Sequence, residues 1–279
     1  VNSYVNILKK YGYYSAYFHA SKNGSLRLDE MAKECGFDSY YGLNEYPNKN
    51  HYDGNWGIFD DKFFPFCADK INGFKEPFTT TIFNLSSHFP FTMPEEFKNS
   101  FGVENAADPQ IPMIRYTDYV LKQFFKKIKS EPWYENTLFV FTADHTYHEL
   151  SENPTELSKF SIPILFFSPK DTSLKKKMTF PVNQVDVMPS ILDYLNVPDT
   201  FKCFGNSIFS PIPSRYAFNF EKGLYQLVEK DALLQFDGVE AVGFYDLKTD
   251  PFQRSNAIKS KDPRIALLTK RIKAVIQTY

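Results

Sequence analysis

TLFVFTADHT, residues 137–146, decides how the chain is read. Leu138, Phe139, Val140 and Phe141 form an apolar, β-prone run with the length of a strand rather than a helix. The run stops at Thr142-Ala143, and an acid and an imidazole follow at once: Asp144 and His145, then a second histidine at His148. A carboxylate beside an imidazole offers hard oxygen and borderline nitrogen donors to a divalent ion such as Mn²⁺, Mg²⁺ or Zn²⁺. Neighbours on a strand point to opposite faces, so the two converge on one ion only where the strand has become a loop. Thr146 and Tyr147 do not continue a strand pattern, which fits that requirement. The other reading is a polar loop, and His148 is taken as a solvated loop residue rather than a lining one.

Working outward, helical and strand patterns alternate. Residues 6–10 read as a short helix, 14–20 as a strand and 25–37 as a helix, with Leu28, Met31, Ala32 and Cys35 on one face and Gly36 past its end. Residues 40–57 are rich in Asn, Gly and Tyr and read as turns, before a helix in IFDDKFFPFCADKI. PFTTTIFNLSS, 77–87, is a β-branched strand halted by Pro90 and Pro94. Residues 113–130 are the clearest helix, with Ile114, Val120, Leu121, Phe124, Phe125 and Ile128 as its apolar stripe. A strand at 161–169 and a helix at 184–197 follow. Four short strands then read as YAFNF, LYQLV, ALLQF and VGFYDL, with a last helix from Pro263 to Gln277.

Alternation of this kind implies an α/β fold with right-handed crossovers and a mainly parallel sheet. The nearly continuous apolar runs at 80–85 and 137–142 read as central parallel strands covered on both faces. The tail reads as a small antiparallel extension. The expected division is 1–202 for the α/β part and 203–279 for the tail.

Composition narrows the function. The net charge is −1 and no long run of one sign occurs, so nucleic acid has no electrostatic footprint to follow. No apolar run approaches the ~20 residues of a membrane span, and residues 1–14 lack the hydrophobic segment of a signal peptide. Three cysteines, Cys35, Cys67 and Cys203, are odd in number and lack CxxC spacing, so free buried thiols are expected. The 29 Phe and 18 Tyr are spread evenly, which marks them as core material rather than a binding stripe.

In open α/β sheets, ligands sit beyond the carboxyl ends of the strands. Three of the five histidines fall at such ends: His19, His88 and His145. Each alone reads more readily as a satisfied structural residue, but three together point to a site.

The set SSHFPF (86–91), WYENTLFVFTADH (133–145), SIPILFFSP (161–169) and NQVDVMPSILDYLNV (183–197), in this order, resembles the second half of a sulfatase-type domain of the alkaline phosphatase superfamily. The branch it is most similar to holds the lipoteichoic acid synthases and phosphoglycerol transferases. NGSLRLDEMAKECGFDSYYG (23–42) and GNWGIFDDKFF (54–64) fit that branch in place and type. The likeness runs from about residue 4 to 250.

What the resemblance implies is specific. The fold would be an alkaline-phosphatase-like three-layer sandwich with a mainly parallel central sheet and a small antiparallel C-terminal subdomain. Asp144 and His145 would be metal ligands, for manganese first and for magnesium, calcium or zinc as alternatives. His88 would be catalytic, contacting the phosphoester or protonating its leaving group. Trp56 would either line the substrate pocket or pack within its long loop. Where the branch carries a Trp-Asn-Arg run against glycerol phosphate, this chain has Leu26, Arg27 and Leu28, so Arg27 is the substitute cation. Thr146 stands where the family prefers glycine.

Family members attack the ester with a threonine, or with a modified serine or cysteine in sulfatases, on a segment upstream of NILKKYGY (6–13). Ser3 lacks that motif and Thr79, Thr80 and Thr81 lie within a strand. The expectation is therefore a C-terminal part of an envelope enzyme whose site is incomplete in this chain. Its substrate would be a phospho- or sulfo-ester on a lipid headgroup or glycan. It would face outward in the periplasm or extracellular space, and meet the membrane only through an upstream segment. A sulfatase of sulfated glycans and a degenerate non-catalytic binding domain are the alternatives.

Overall fold

The computed structural model of the chain describes residues 2–147 and 154–278. They form two compact units, 1–137 with 198–202, and 138–197 with 203–279. The units divide at 137/138, inside the stretch read from sequence as one α/β part through 202.

The first unit holds, in order, α1 (Tyr4–Lys9), β1 (Tyr14–His19), α2 (Leu28–Glu34), β2 (Ser39–Tyr41), α3 (Asp60–Ile71), β3 (Phe78–Phe83), α4 (Lys98–Phe101) and α5 (Gln110–Ile128). α1 starts at Ser3, whose hydroxyl accepts the Asn6 N–H at 3.0 Å. β1 lies between β2 and β3 and is parallel to both. Ala16 and Phe18 are fully buried on it. β3, read from its apolar run as central, is the sheet's edge among the described strands and is only half-buried. The strand buried between two partners is β1, whose mixed tyrosines and serine hide that position from a hydropathy reading.

α3 packs on α5 through Phe64 and Phe124, whose ring centroids are 5.2 Å apart. The buried stripe of α5 is Met113, Tyr116, Val120, Phe124 and Ile128, while Ile114, expected in it, is exposed. Tyr116 donates its hydroxyl to the Asp61 carboxylate at 2.6 Å and accepts the Asp61 N–H at 3.1 Å, so it caps the first turn of α3.

Asp60, the first residue of α3, is fully buried. Its carboxylate accepts Asn84 Nδ2 at 2.9 Å and the Leu85 and Ser86 N–H groups at 3.3 Å. Its own N–H donates to Ser86 Oγ at 2.9 Å. Burial pushes this carboxyl above the usual carboxylate range, against the pull of those hydrogen bonds. The start of α3 is thereby locked to the segment after β3 that carries His88.

The second unit holds β4 (Phe139–Thr142), β5 (Ile164–Phe167), α6 (Val187–Tyr194), β6 (Tyr216–Glu221), β7 (Leu224–Glu229), β8 (Ala232–Phe236), β9 (Ala241–Asp246) and α7 (Pro263–Thr278). β4, expected as a central parallel strand, pairs antiparallel with β5 from Phe139↔Phe167 to Thr142↔Ile164. A parallel return needs a crossover, usually a helix. Among the described residues between these strands there is only the 3₁₀ turn Ser158–Phe160. Strands β6 to β9 form the antiparallel meander read from the tail. Gly223, at φ +84°, sits in the tight turn between β6 and β7. α7 lays Leu268, Ile272 and Val275 against Leu227, Leu234, Phe236 and Phe244. Arg264 pairs with Asp246 at 2.6 Å and Arg271 pairs with Glu229, tying the helix to the sheet. Of the thiols, Cys67 is buried as expected, Cys35 is half-buried, and Cys203 is exposed, against expectation, in the loop after Lys202.

β1 ends in His19, whose side chain is enclosed (1 % exposed) and whose Nδ1 meets the Tyr40 hydroxyl at 2.7 Å. Burial pushes its pKa down to about 4, with nearby Asp29 opposing the shift.

Two outcomes follow for stability. Asp60→Ala leaves two buried N–H groups without their acceptor, and urea unfolding is expected to show a loss of about 3 kcal/mol. His19 is neutral when folded above about pH 4, whereas an unfolded histidine takes up its proton near pH 6.5. Its contribution is complete above pH 6.5 and declines as the pH falls towards 4. The urea midpoint should drop between pH 7 and pH 4.5, and the drop should be smaller in His19→Gln.

Candidate functional site

The site residues fall on two structural platforms, one in each unit. The first is the loop beyond β3. His88 N–H donates to Leu85 O at 3.1 Å, which closes a turn at the segment that Asp60 anchors. The imidazole is exposed. Its Nδ1 lies 2.8 Å from Phe89 O, and a carbonyl can only accept, so Nδ1 carries the proton and the Nε2 lone pair is left for a ligand.

Trp56 reaches the same carbonyl. Its Nε1–H donates to Phe89 O at 2.6 Å, and the indole and imidazole centroids are 4.0 Å apart. The Trp56 loop is built from GNWG. Asp53 Oδ1 accepts the N–H groups of Asn55, Trp56 and Gly57 at 2.8, 2.8 and 3.0 Å. At Gly57 a Cβ would stand 2.7 Å from Ala20 O, so glycine is what lets this loop approach the end of β1. His88 and Trp56, separate guesses in the sequence, therefore form one ring pair, tilted at 45° to each other.

Arg27 is placed differently. Gly24, Leu26 and Arg27 all have positive φ, at 83°, 53° and 55°. This backbone turns the Arg27 side chain outward, 81 % exposed, where it pairs with Glu30 at 2.5 Å. It does not line the cavity beside Trp56. His19 stands at the end of β1 with Nε2 buried and without a hydrogen-bond partner among the described residues.

The second platform is the loop after β4. Asp144 Oδ1 accepts the His145 N–H at 2.9 Å. His145 Nδ1 lies 2.9 Å from Thr146 O, which again places the proton on Nδ1 and frees Nε2. That nitrogen is 3.6 Å from Asp144 Oδ2, and both side chains are mostly exposed. The strand has become a loop at this point, so neighbouring residues present two donor atoms side by side.

A histidine that gives its other ring N–H to a carbonyl has the arrangement metal-ligating histidines use. Asp144 and His145 thus fit two positions of a divalent ion. Among the described residues no cluster of three or more His, Cys, Asp or Glu donors occurs. His148 lies outside the described residues.

Three residues without a role in the sequence reading hold this loop. Gln184 donates through Nε2 to Ala143 O at 2.8 Å and Asp144 O at 3.1 Å. Thr146 Oγ1 donates to Lys159 O at 2.6 Å, so the residue in the glycine position serves as an anchor. Asp186 accepts the Asn183 N–H at 2.8 Å and steadies the turn that presents Gln184. The signal for Gln184 was its place in NQVDV, two residues before the aspartate. Nothing in the sequence pointed to Thr146 Oγ1.

The family model described as Sulfatase matches residues 1–197. The lipoteichoic acid synthase-like protein YvgJ of Bacillus subtilis is 29 % identical over 227 residues, covering 73 % of this chain and 36 % of the relative. The lipoteichoic acid synthase of Staphylococcus aureus (strain USA300) is 27 % identical over 220 residues, covering 72 % and 34 %. The chain thus spans about a third of the length of these relatives. Among solved structures, lipoteichoic acid synthase LtaP of Listeria monocytogenes superposes with a TM-score of 0.77 at 17 % identity, over 100 % of this chain and 72 % of that one. A Vibrio parahaemolyticus protein of the alkaline phosphatase superfamily gives 0.75 at 20 % identity, over 98 % and 68 %. These likenesses give the chain the alkaline-phosphatase-like α/β fold that its motifs implied. With the family model spanning 197 of its 279 residues, the chain belongs to the sulfatase family.

Proposed function

We propose that each unit of this chain supplies groups for phosphoester transfer of the phosphoglycerol-transferase kind on the outer face of the cell envelope, the first a leaving-group histidine and the second a pair of metal ligands. The observation that carries the reading is the pair of freed ring nitrogens. His88 and His145 each give Nδ1–H to a backbone carbonyl and keep Nε2 for a ligand. The two sequence relatives named above support the phosphoryl over the sulfuryl branch, since one is a lipoteichoic acid synthase and the other a protein like it.

In this reading Asp144 and His145 would hold a divalent cation, manganese first, with magnesium, calcium or zinc as substitutes. When bound, such an ion polarises a phosphoryl oxygen and offsets the charge that builds on it. Gln184 and Thr146 keep the two donors in place by holding the backbone on either side of them. His88 Nε2 accepts a hydrogen bond from a substrate hydroxyl when neutral. When protonated, it donates to the oxygen that leaves. Its Nδ1–H bond to Phe89 O fixes the ring plane and prevents the tautomer that would lose this geometry. Trp56 forms the wall beside it. None of these residues is assigned the attack on phosphorus.

Two measurements test the reading. Asp144→Ala is expected to weaken Mn²⁺ binding at least ~10-fold, as followed by electron paramagnetic resonance of free Mn²⁺. Unchanged binding would remove Asp144 from the site. His88→Ala in the full-length protein should lower turnover of a phosphoglycerol ester ~100-fold or more, the usual scale of a lost acid–base group. Turnover equal to wild type would assign His88 no part in the chemistry.

A further inference from the structure

Beside the Trp56–His88 pair the first unit has an open cavity of ≈ 410 Å³. Ser21, Ser25, Tyr52, Asn55 and Trp56 line it together with Lys22 and Asn23. No carboxylate is among them. Two acids nearby in sequence are already engaged. Asp53 Oδ1 accepts three backbone N–H groups. Glu45 accepts the Gly42 N–H at 2.7 Å and the Asn23 side-chain amide at 3.1 Å. Asn23 also accepts the Asn44 N–H through its oxygen, so both its groups are taken by the loop itself.

Among the described residues, Lys22 is the only charged one lining the cavity. Its Nζ sits 5.3 Å from the centroid of the Tyr52 ring, which holds the ammonium over an aromatic face and leaves its three N–H donors for an anion. Tyr52 is itself fixed, donating its hydroxyl to Asn55 O at 2.8 Å. Arg27, five residues on in the same loop, faces away and is paired with Glu30. The cavity therefore combines one cation with no paired acid among the described residues, the serine hydroxyls and the Asn55 amide oxygen suited to hydroxyls, and two aromatic walls suited to a short carbon chain.

We propose that Lys22, rather than Arg27, binds the phosphoryl charge of a short phosphorylated polyol lodged in this cavity. Lys22 takes this role on the reading of His88 and Trp56 as phosphoester-facing residues. It adds a specificity-determining cation that the family pattern places at another position of the loop. An ammonium over a tyrosine face is a point charge without the fork of a guanidinium, so it holds a phosphoryl group in more than one orientation. The headgroup's hydroxyls and Trp56 are then left to set its direction.

Calorimetric titration of the chain with glycerol 1-phosphate at low salt tests this without turnover or metal. Wild type is expected to bind glycerol 1-phosphate in competition with inorganic phosphate, and glycerol itself far more weakly. Lys22→Ala should weaken glycerol 1-phosphate ~10-fold or more, about 1.4 kcal/mol per decade, and Lys22→Arg should restore most of it. Raising the salt should reduce the wild-type affinity and narrow the gap between wild type and Lys22→Ala. Equal affinity in Lys22→Ala and wild type would overturn the assignment, as would a loss seen in Arg27→Ala but not in Lys22→Ala, or wild-type binding of glycerol 1-phosphate no tighter than glycerol. Lys22-dependent binding, together with full turnover in His88→Ala, would keep this inference and discard the catalytic reading.

Discussion

A carboxylate with no water around it must be held by hydrogen-bond donors, and in this protein Asp60 is held by the backbone that leads to His88. The dependence runs in both directions. The Leu85 and Ser86 N–H groups, past the end of β3, have no strand partner and need the acceptor that Asp60 supplies. Asp60 in turn stands at the first turn of α3, where the helix's free N–H groups favour negative charge. Ser86 Oγ completes the exchange by accepting the Asp60 N–H. Helix, sheet edge and site loop thus share one joint, and α3 is fixed further by Tyr116 of α5.

The same economy of backbone recurs at the second platform, with different means. The loop after β4 makes no hydrogen bond to a buried carboxylate among the described residues. It is held instead by a side-chain amide from Gln184 and a hydroxyl from Thr146. Threonine at position 146, where the resemblance implied glycine, adds a side chain, and that side chain supplies a tether in place of backbone freedom.

Much of this was legible in the sequence because it was local. The helix over 110–128, the four-strand tail and the final helix each carry their own period and punctuation. Asp144 and His145 were visible because a strand stopped short and left two donors. What escaped reading depends on pairing partners distant in sequence. Strand direction is one such case, since the apolar run at 137–142 looks the same with a parallel neighbour as with β5 running the other way. The orientation of Arg27 is another. Its place in the sequence suggested a ligand contact, but two consecutive non-glycine residues with positive φ turn it to Glu30, and no pattern of residue types announces that. Burial of the mixed segment YSAYFH was likewise hidden until β2 and β3 were seen on either side of it.

The carbonyl of Phe89 receives both ring N–H groups, from Trp56 and from His88. A carbonyl oxygen has two lone pairs, and both are used here. Positions 56 and 88, 32 residues apart in the chain, are therefore coupled through an atom that neither of them owns. A change at either leaves that carbonyl one donor short and takes away the ring in contact with the other. Phe89 enters this joint through its backbone alone, while its ring meets Phe91.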